Sequence, residues 1–205
     1  KMKKIILFIL LTVLYSTTVK AQFPKTEIIK IESAELSQTR EIMVYTPINY
    51  GGNYRYYNVI YVFDAQNKEF SDFVSSLANL TNDSGLGFIV VGIRATTIMG
   101  KMKGHNVPIY GRNMDLLPED TNQMGGRKGN REAFFAYVKN EVIPYVESNY
   151  KVLPGRMAVG HSLSASFLMY SLLKDPNIFD NYVAVSPNLD HDNQLLIKGL
   201  REFDT

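Results

Sequence analysis

"MAVGHSLSASF", Met157 to Phe167, runs from a short apolar segment into Gly160-His161-Ser162 and on into a stretch of helical character. The pattern reads as a strand feeding a helix through a tight turn. Such a turn exposes a serine hydroxyl and fixes its direction, and it needs small residues two positions to either side so that the backbones can approach. Gly160 and Ser164, followed by Ala165, meet that need. The fifth position of the G-x-S-x-G pattern holds serine instead of glycine, and a bare G-x-S-x-S also arises by chance. Ser162 becomes a candidate nucleophile only through its surroundings, because a serine hydroxyl is weak until it is exposed, oriented and paired with a base.

Those surroundings alternate between strands and helices. "TEIIKIES" (26–33) and "REIMVYTP" (40–47) read as two strands of a hairpin or meander. "YNVIYVFDA" (57–65) and "GFIVVGIRA" (87–95) are short apolar runs suited to strands buried on both faces, and between them "SDFVSSLANL" (71–80) sets Phe73, Leu77 and Leu80 at helical spacing. The polar stretch from Thr96 to Asn130 is too long for a mere connection and is expected to be a binding loop or a mobile lid. Its "MGGRKGN" (124–130) lacks phosphate-loop spacing.

"NREAFFAYVKNEVIPYVESNY" (130–150) then places Phe135, Val138, Val142 and Val146 on one helical face, with Asn130 as N-cap and Pro144 as the site of a bend. A strand through Met157 to Gly160, a helix from about Ser162 to Lys174 and a strand at "NYVAVSP" (181–187) complete the order. One α/β domain with a mostly parallel sheet and helices on both faces follows. Ligands of such sheets bind beyond the carboxyl ends of the strands, where Ser162 falls.

At that edge the Leu163 N–H is expected to face the space above Ser162, where backbone donors and the helix dipole would stabilise an oxyanion. The loop after "YVFD" is expected to supply a second donor from Ala65 or Gln66. A general base is needed as well, and the chain has three histidines. His161 adjoins the nucleophile and should diverge from it. His105 lies in the long polar stretch. His191 follows the next strand, but as base it would break the chain order of serine, acid, histidine. Asp190-His191-Asp192 lacks a fourth partner at a recognisable metal-ligand spacing, so no metal is expected. Tyr56, Tyr57 and Tyr61 read as packing and strand residues.

The ends of the chain carry their own signals. Lys1, Lys3 and Lys4 precede an apolar run from Ile5 to Tyr15 that turns polar and closes in Val19-Lys20-Ala21. This is the pattern of a secretory signal peptide cut after Ala21, too short to span a bilayer, and it predicts a secreted or periplasmic protein with no membrane anchor after cleavage. The leader holds four lysines and no acidic residue, so residues 22–205 keep 18 Lys+Arg against 20 Asp+Glu and imply no nucleic-acid partner. Absence of cysteine excludes disulfides and thiolate catalysis. "IKGLREFDT" stops within a helical pattern, which predicts a C-terminally incomplete chain with its acid and histidine downstream.

"REIMVYTPINY", "VIYVFDAQ", "IVVGIRATT", "NMDLLP", "FFAYVKNEVIPYVESNYKV" and "GHSLSASFLMYSLLKDPNIFDNYVAVSPNL" resemble, in order, the blocks of the putative-esterase family of α/β-hydrolases, which includes esterase D and the enterochelin-esterase-like proteins. The resemblance covers nearly all of residues 22–205. It implies the three-layer α/β-hydrolase fold and hydrolysis of a small-molecule, glycan or siderophore-type carboxylic ester through an acyl-serine, with no organic cofactor. It also places Asp64, Arg94, Arg112, Asp115, His161 and His191 where site-lining residues fall. The sequence departs from the family at "SPNLDHDN" (186–193) and in the segment before Arg112, both beside the expected substrate pocket. Acyl transfer on the same scaffold, and a non-catalytic binding protein that keeps the fold, are the alternative readings.

Overall fold

The computed structural model describes residues 25–48, 50–52, 54–81, 87–119, 128–189 and 194–203. The expected leader, its cleavage site and Asp190, His191 and Asp192 lie outside the described residues. Eight strands are described: β1 Lys25–Ser33, β2 Gln38–Thr46, β3 Tyr57–Phe63, β4 Phe88–Ile93, β5 Thr97–Met102, β6 His105–Tyr110, β7 Val152–His161 and β8 Asn181–Val185. The helices are α1 Lys68–Leu80, α2 Arg112–Leu116, α3 Arg131–Tyr137, α4 Ile143–Asn149, α5 Leu163–Lys174 and α6 Leu195–Glu202. Among the described residues, no helix is long and apolar enough to cross a membrane.

Six strands form one sheet in the order β1-β2-β4-β3-β7-β8. β4, β3, β7 and β8 pair in parallel, whereas β1–β2 and β2–β4 pair antiparallel. The sheet is therefore mixed, which corrects the expectation of a mostly parallel one. The cause is local: a short turn between β1 and β2 makes a hairpin, and a hairpin is antiparallel because parallel partners need a long crossover. The parallel part brings the carboxyl ends of β4, β3, β7 and β8 to one edge.

Alternation along the strands divides the core between the two faces. Ile42, Val44, Val59, Tyr61, Phe63, Ile89 and Val91 point to the side covered by α2, α3, α4 and α5, where they meet Leu117, Phe134, Val142, Val146, Phe167 and Leu168. Met43, Tyr45, Ile60, Val62, Val90 and Val159 point to the other side, toward α1. Each such buried side chain stabilises the fold by about 1.5–3 kcal/mol. The helical stripe of Phe135, Val138, Val142 and Val146 is buried as its spacing predicts.

Four local expectations give way to different structure. In α1 the residues turned to the sheet are Ser71, Ser75 and Ala78, while Phe73, Leu77 and Leu80 are 60%, 48% and 77% exposed. Small residues let this helix lie close to the sheet. The bend expected at Pro144 is a π turn over Val138–Val142, directly before the proline; the wider turn accommodates its missing N–H and its ring. Asn130 stands at the N-cap position of α3, but its side chain makes no capping bond. In place of a loop or lid, residues 97–110 form the antiparallel ribbon β5–β6, turned by Lys103 and Gly104 at φ 48° and 83°.

Candidate active site

β7 passes directly into α5 at Ser162, whose backbone sits at φ 58°, ψ −118°. Non-glycine residues rarely adopt positive φ, and the strain persists only where the surroundings hold it. Here they hold it from several sides. The Ser162 N–H donates to the Val185 carbonyl at 2.9 Å, and the Ser162 carbonyl accepts from the Asn188 N–H at 3.2 Å and the Ser166 N–H at 3.2 Å. A Cβ at Gly160 would stand 2.8 Å from the carbonyl carbon and oxygen of Ser164, so strand end and helix start touch there.

Ser164, the departure from the glycine pattern, is fully buried and part of the turn. Its hydroxyl accepts from the His161 N–H at 3.0 Å and donates to the His161 carbonyl at 2.9 Å. Among the described residues, neither the Ser162 hydroxyl nor the Leu163 N–H has a hydrogen-bond partner. An unengaged hydroxyl at the carboxyl edge of a sheet, beside an unengaged helix-start N–H, is an arrangement able to attack a carbonyl and receive the resulting negative charge.

The neighbouring strand β3 ends in a second left-handed residue, Asp64 at φ 63°, and β8 in a third, Ser186 at φ 46°. β3 and β7 pair in parallel with Val62 opposite Val159. The turns that follow these two adjacent strands therefore emerge side by side at the same edge of the sheet. Of the two expected second donors, Ala65 is already engaged, its N–H donating to the Ile93 carbonyl at 3.1 Å. The Gln66 N–H has no partner among the described residues, and the candidate narrows to it.

Side chains close the site. Asp64, Gln66, Asn67, Phe70, Arg112 and His161 line a cleft of about 210 Å³. Arg112 forks onto Asp64, Nε to Oδ1 at 3.1 Å and Nη2 to Oδ2 at 2.5 Å. The exposed His161 ring lies 6.4 Å from that of Phe70, on the α1 side of the sheet. Arg94 does not join this group. It donates to Glu41 and to the Tyr110 hydroxyl, each at 2.5 Å, and lines a separate cavity of about 310 Å³. His105 is exposed at the ribbon turn, and His191 lies outside the described residues.

Asp115, expected to line the site, is instead a buried anchor outside the cleft lining, and Gly92 had no reading in the sequence. Asp115 is buried in an ion pair with Arg40, at 2.9 and 2.7 Å, and also accepts from the Thr96 N–H at 2.8 Å. Arg40 also lies over the rings of Phe134 and Tyr137. Gly92 in β4 sits beneath the Asp64 turn, where a Cβ would come within 2.7 Å of the Ala65 Cβ. The "DLLP" segment and the lone glycine in an apolar strand were the only available hints.

The order of strands, with a left-handed serine between the end of a parallel strand and a helix, defines an α/β-hydrolase-like esterase fold. The chain belongs to the putative esterase family, whose sequence model matches residues 33–201. Among curated proteins it is 30% identical over 76 residues to the ferri-bacillibactin esterase BesA of Bacillus subtilis (strain 168), covering 37% of this chain and 26% of that one. It is 34% identical over 104 residues to the siderophore enterobactin esterase of Emericella nidulans, covering 48% and 31%. The matched region thus spans less than a third of either relative. Among solved structures, an IroE-like serine hydrolase from Shewanella oneidensis superposes with a TM-score of 0.71 at 23% identity, covering 88% of this chain and 55% of that one. The BES protein from Bacillus cereus gives 0.68 at 23% identity, covering 90% and 71%.

Proposed function

We propose that this protein is an exported carboxylic-ester hydrolase that works through an acyl-enzyme on Ser162. The observation that carries the reading is the left-handed Ser162, its hydroxyl and the adjacent Leu163 N–H both unengaged among the described residues. Ser162 Oγ attacks the ester carbonyl carbon while a general base takes its proton. The oxyanion is held by the N–H groups of Leu163 and Gln66. Collapse expels the alcohol, which receives the proton, and water then releases the acid by the same steps in reverse order. Neither described histidine is suited to be the base, His161 being turned against Phe70 and His105 being on the ribbon. We therefore look for the base outside the described residues, where His191 is the histidine of this sequence.

The names of the relatives favour a siderophore-type ester as substrate. The charged start and short apolar run of residues 1–21 favour export and cleavage after Ala21. The test treats the protein as its gene encodes it with a fluorophosphonate, followed by peptide mass spectrometry and a panel of nitrophenyl esters of increasing chain length. The adduct is expected on Ser162, and ester turnover is expected to vanish in Ser162→Ala. Labelling elsewhere, or turnover that survives the substitution, overturns the assignment.

A further inference from the structure

Resting on the reading of Ser162 as nucleophile, we propose that Arg112 is a positioning residue: with Asp64 and Gln66 it braces the turn 64–67, so that the Gln66 N–H is held where the oxyanion develops. Asp64 Oδ1 accepts from Arg112 Nε at 3.1 Å and from Gln66 Nε2 at 2.8 Å, and Oδ2 accepts from Arg112 Nη2 at 2.5 Å. The other end of the Gln66 amide is spent too, Oε1 accepting from the Ala95 N–H at 2.9 Å. The Asp64 carbonyl accepts from the Asn67 N–H at 2.9 Å. These contacts tie the turn to itself, to the chain at the end of β4 and to α2, and Asn67 caps α1 behind it. Within it, the Gln66 N–H is left without a partner among the described residues.

Arg112 can act as a strut only if α2 is fixed, and a five-residue helix does not hold its own position. Asp115, three residues along, anchors it through the buried Arg40 and the Thr96 N–H. A path of oriented bonds therefore runs from β2 through α2 to the Gln66 backbone. The Arg112–Asp64 pair is 35% and 12% exposed, so water at the arginine screens part of its attraction. Its bidentate geometry, which lysine cannot reproduce, fixes direction more than it adds stability.

The experiment uses the protein as its gene encodes it, with Arg112→Met, Arg112→Lys and Asp64→Asn. The readouts are kcat and KM for a neutral nitrophenyl ester, the rate of Ser162 phosphonylation and the melting temperature. Arg112→Met is expected to lower kcat and the phosphonylation rate by about 10²–10³, as loss of one oxyanion donor does. KM should stay within about threefold and the melting temperature within a few degrees, with Arg112→Lys restoring only part of kcat. Asp64→Asn, which keeps the size of the side chain, should follow Arg112→Met. A raised KM at unchanged kcat would mean that Arg112 touches substrate and overturns the brace, as does a loss of kcat that only tracks a loss of folding. Equal phosphonylation rates in wild type and Arg112→Met sink the brace alone. Absence of any Ser162 adduct in the wild type sinks the nucleophile reading and the brace with it.

Discussion

The turns after β3 and β7 stand side by side, and each begins with a residue forced into the left-handed region, yet they are held in different ways. Around Ser162 the restraint is main chain: Val185, Asn188 and Ser166 bond its N–H and carbonyl, and Gly160 lets the helix start press on the strand end. Around Asp64 two main-chain bonds, from Asn67 to Asp64 and from Ala65 to Ile93, are joined by side chains: an arginine, a carboxylate and an amide, with the arginine's own element pinned by a buried ion pair. A turn held by backbone is robust to single substitutions, whereas a turn held by side chains fails at any one of them. On the proposed mechanism, the nucleophile is therefore built into the fold, and its electrostatic partner is attached to it.

Four substitutions probe this contrast, and a fifth, remote from both turns, marks the low end of the scale. The largest effect is expected from Ser162→Gly, which should lower kcat by about 10⁴–10⁶ and, because glycine adopts positive φ freely, raise stability by about 1 kcal/mol. Steady-state kinetics and denaturant melts check both signs together, and a loss of stability would mean that the hydroxyl supports the turn. Asp115→Ala attacks the other turn at its root. Leaving Arg40 buried without its partner should cost about 3–5 kcal/mol, and amide exchange at Gln66 should quicken before exchange at Leu163.

Gly160→Ala brings a methyl against the Ser164 backbone and should cost about 1–3 kcal/mol. Ser164→Ala strips the bond from the buried turn at His161 and should cost about 1–3 kcal/mol. Thermal melts that showed either change to be neutral would mean that the backbone bonds alone hold the Ser162 turn. The smallest effect lies at the far end of α5, where the Lys139 ammonium holds the Asp175 carboxyl below its usual range. That contribution is present above the unfolded pKa of about 4 and fades as pH falls through the lower folded value. Lys139→Met should lower stability by less than about 1 kcal/mol at pH 7, and the difference from wild type should close at acid pH.

Much of the nucleophile's side of the site could be read in the sequence, because a backbone-held turn is written in adjacent residues: Gly160, Ser162 and Ser164 sit together in the chain. The Asp64 side could be read only as a place, since Arg40, Asp64, Gln66, Arg112 and Asp115 meet through the fold and share no local pattern. α1 shows the same limit in a helix. Spacing reveals that Phe73, Leu77 and Leu80 form a stripe, but the side turned inward is decided by how closely Ser71, Ser75 and Ala78 let the helix approach. The ribbon β5–β6 went unread because its polar composition masked a two-residue Lys103-Gly104 turn, a signal of the hairpin kind.

Gly92 bears on how natural variants of this protein should be interpreted. It lies within an apolar strand and lines neither of the two cavities described here, so inspection would class a change there as a matter of core packing. Any side chain at that position meets the Ala65 methyl and presses on the turn above it, which under the proposed mechanism moves the Gln66 amide away from Ser162. A carrier of such an allele could therefore make normal amounts of folded protein and still show the phenotype of a null.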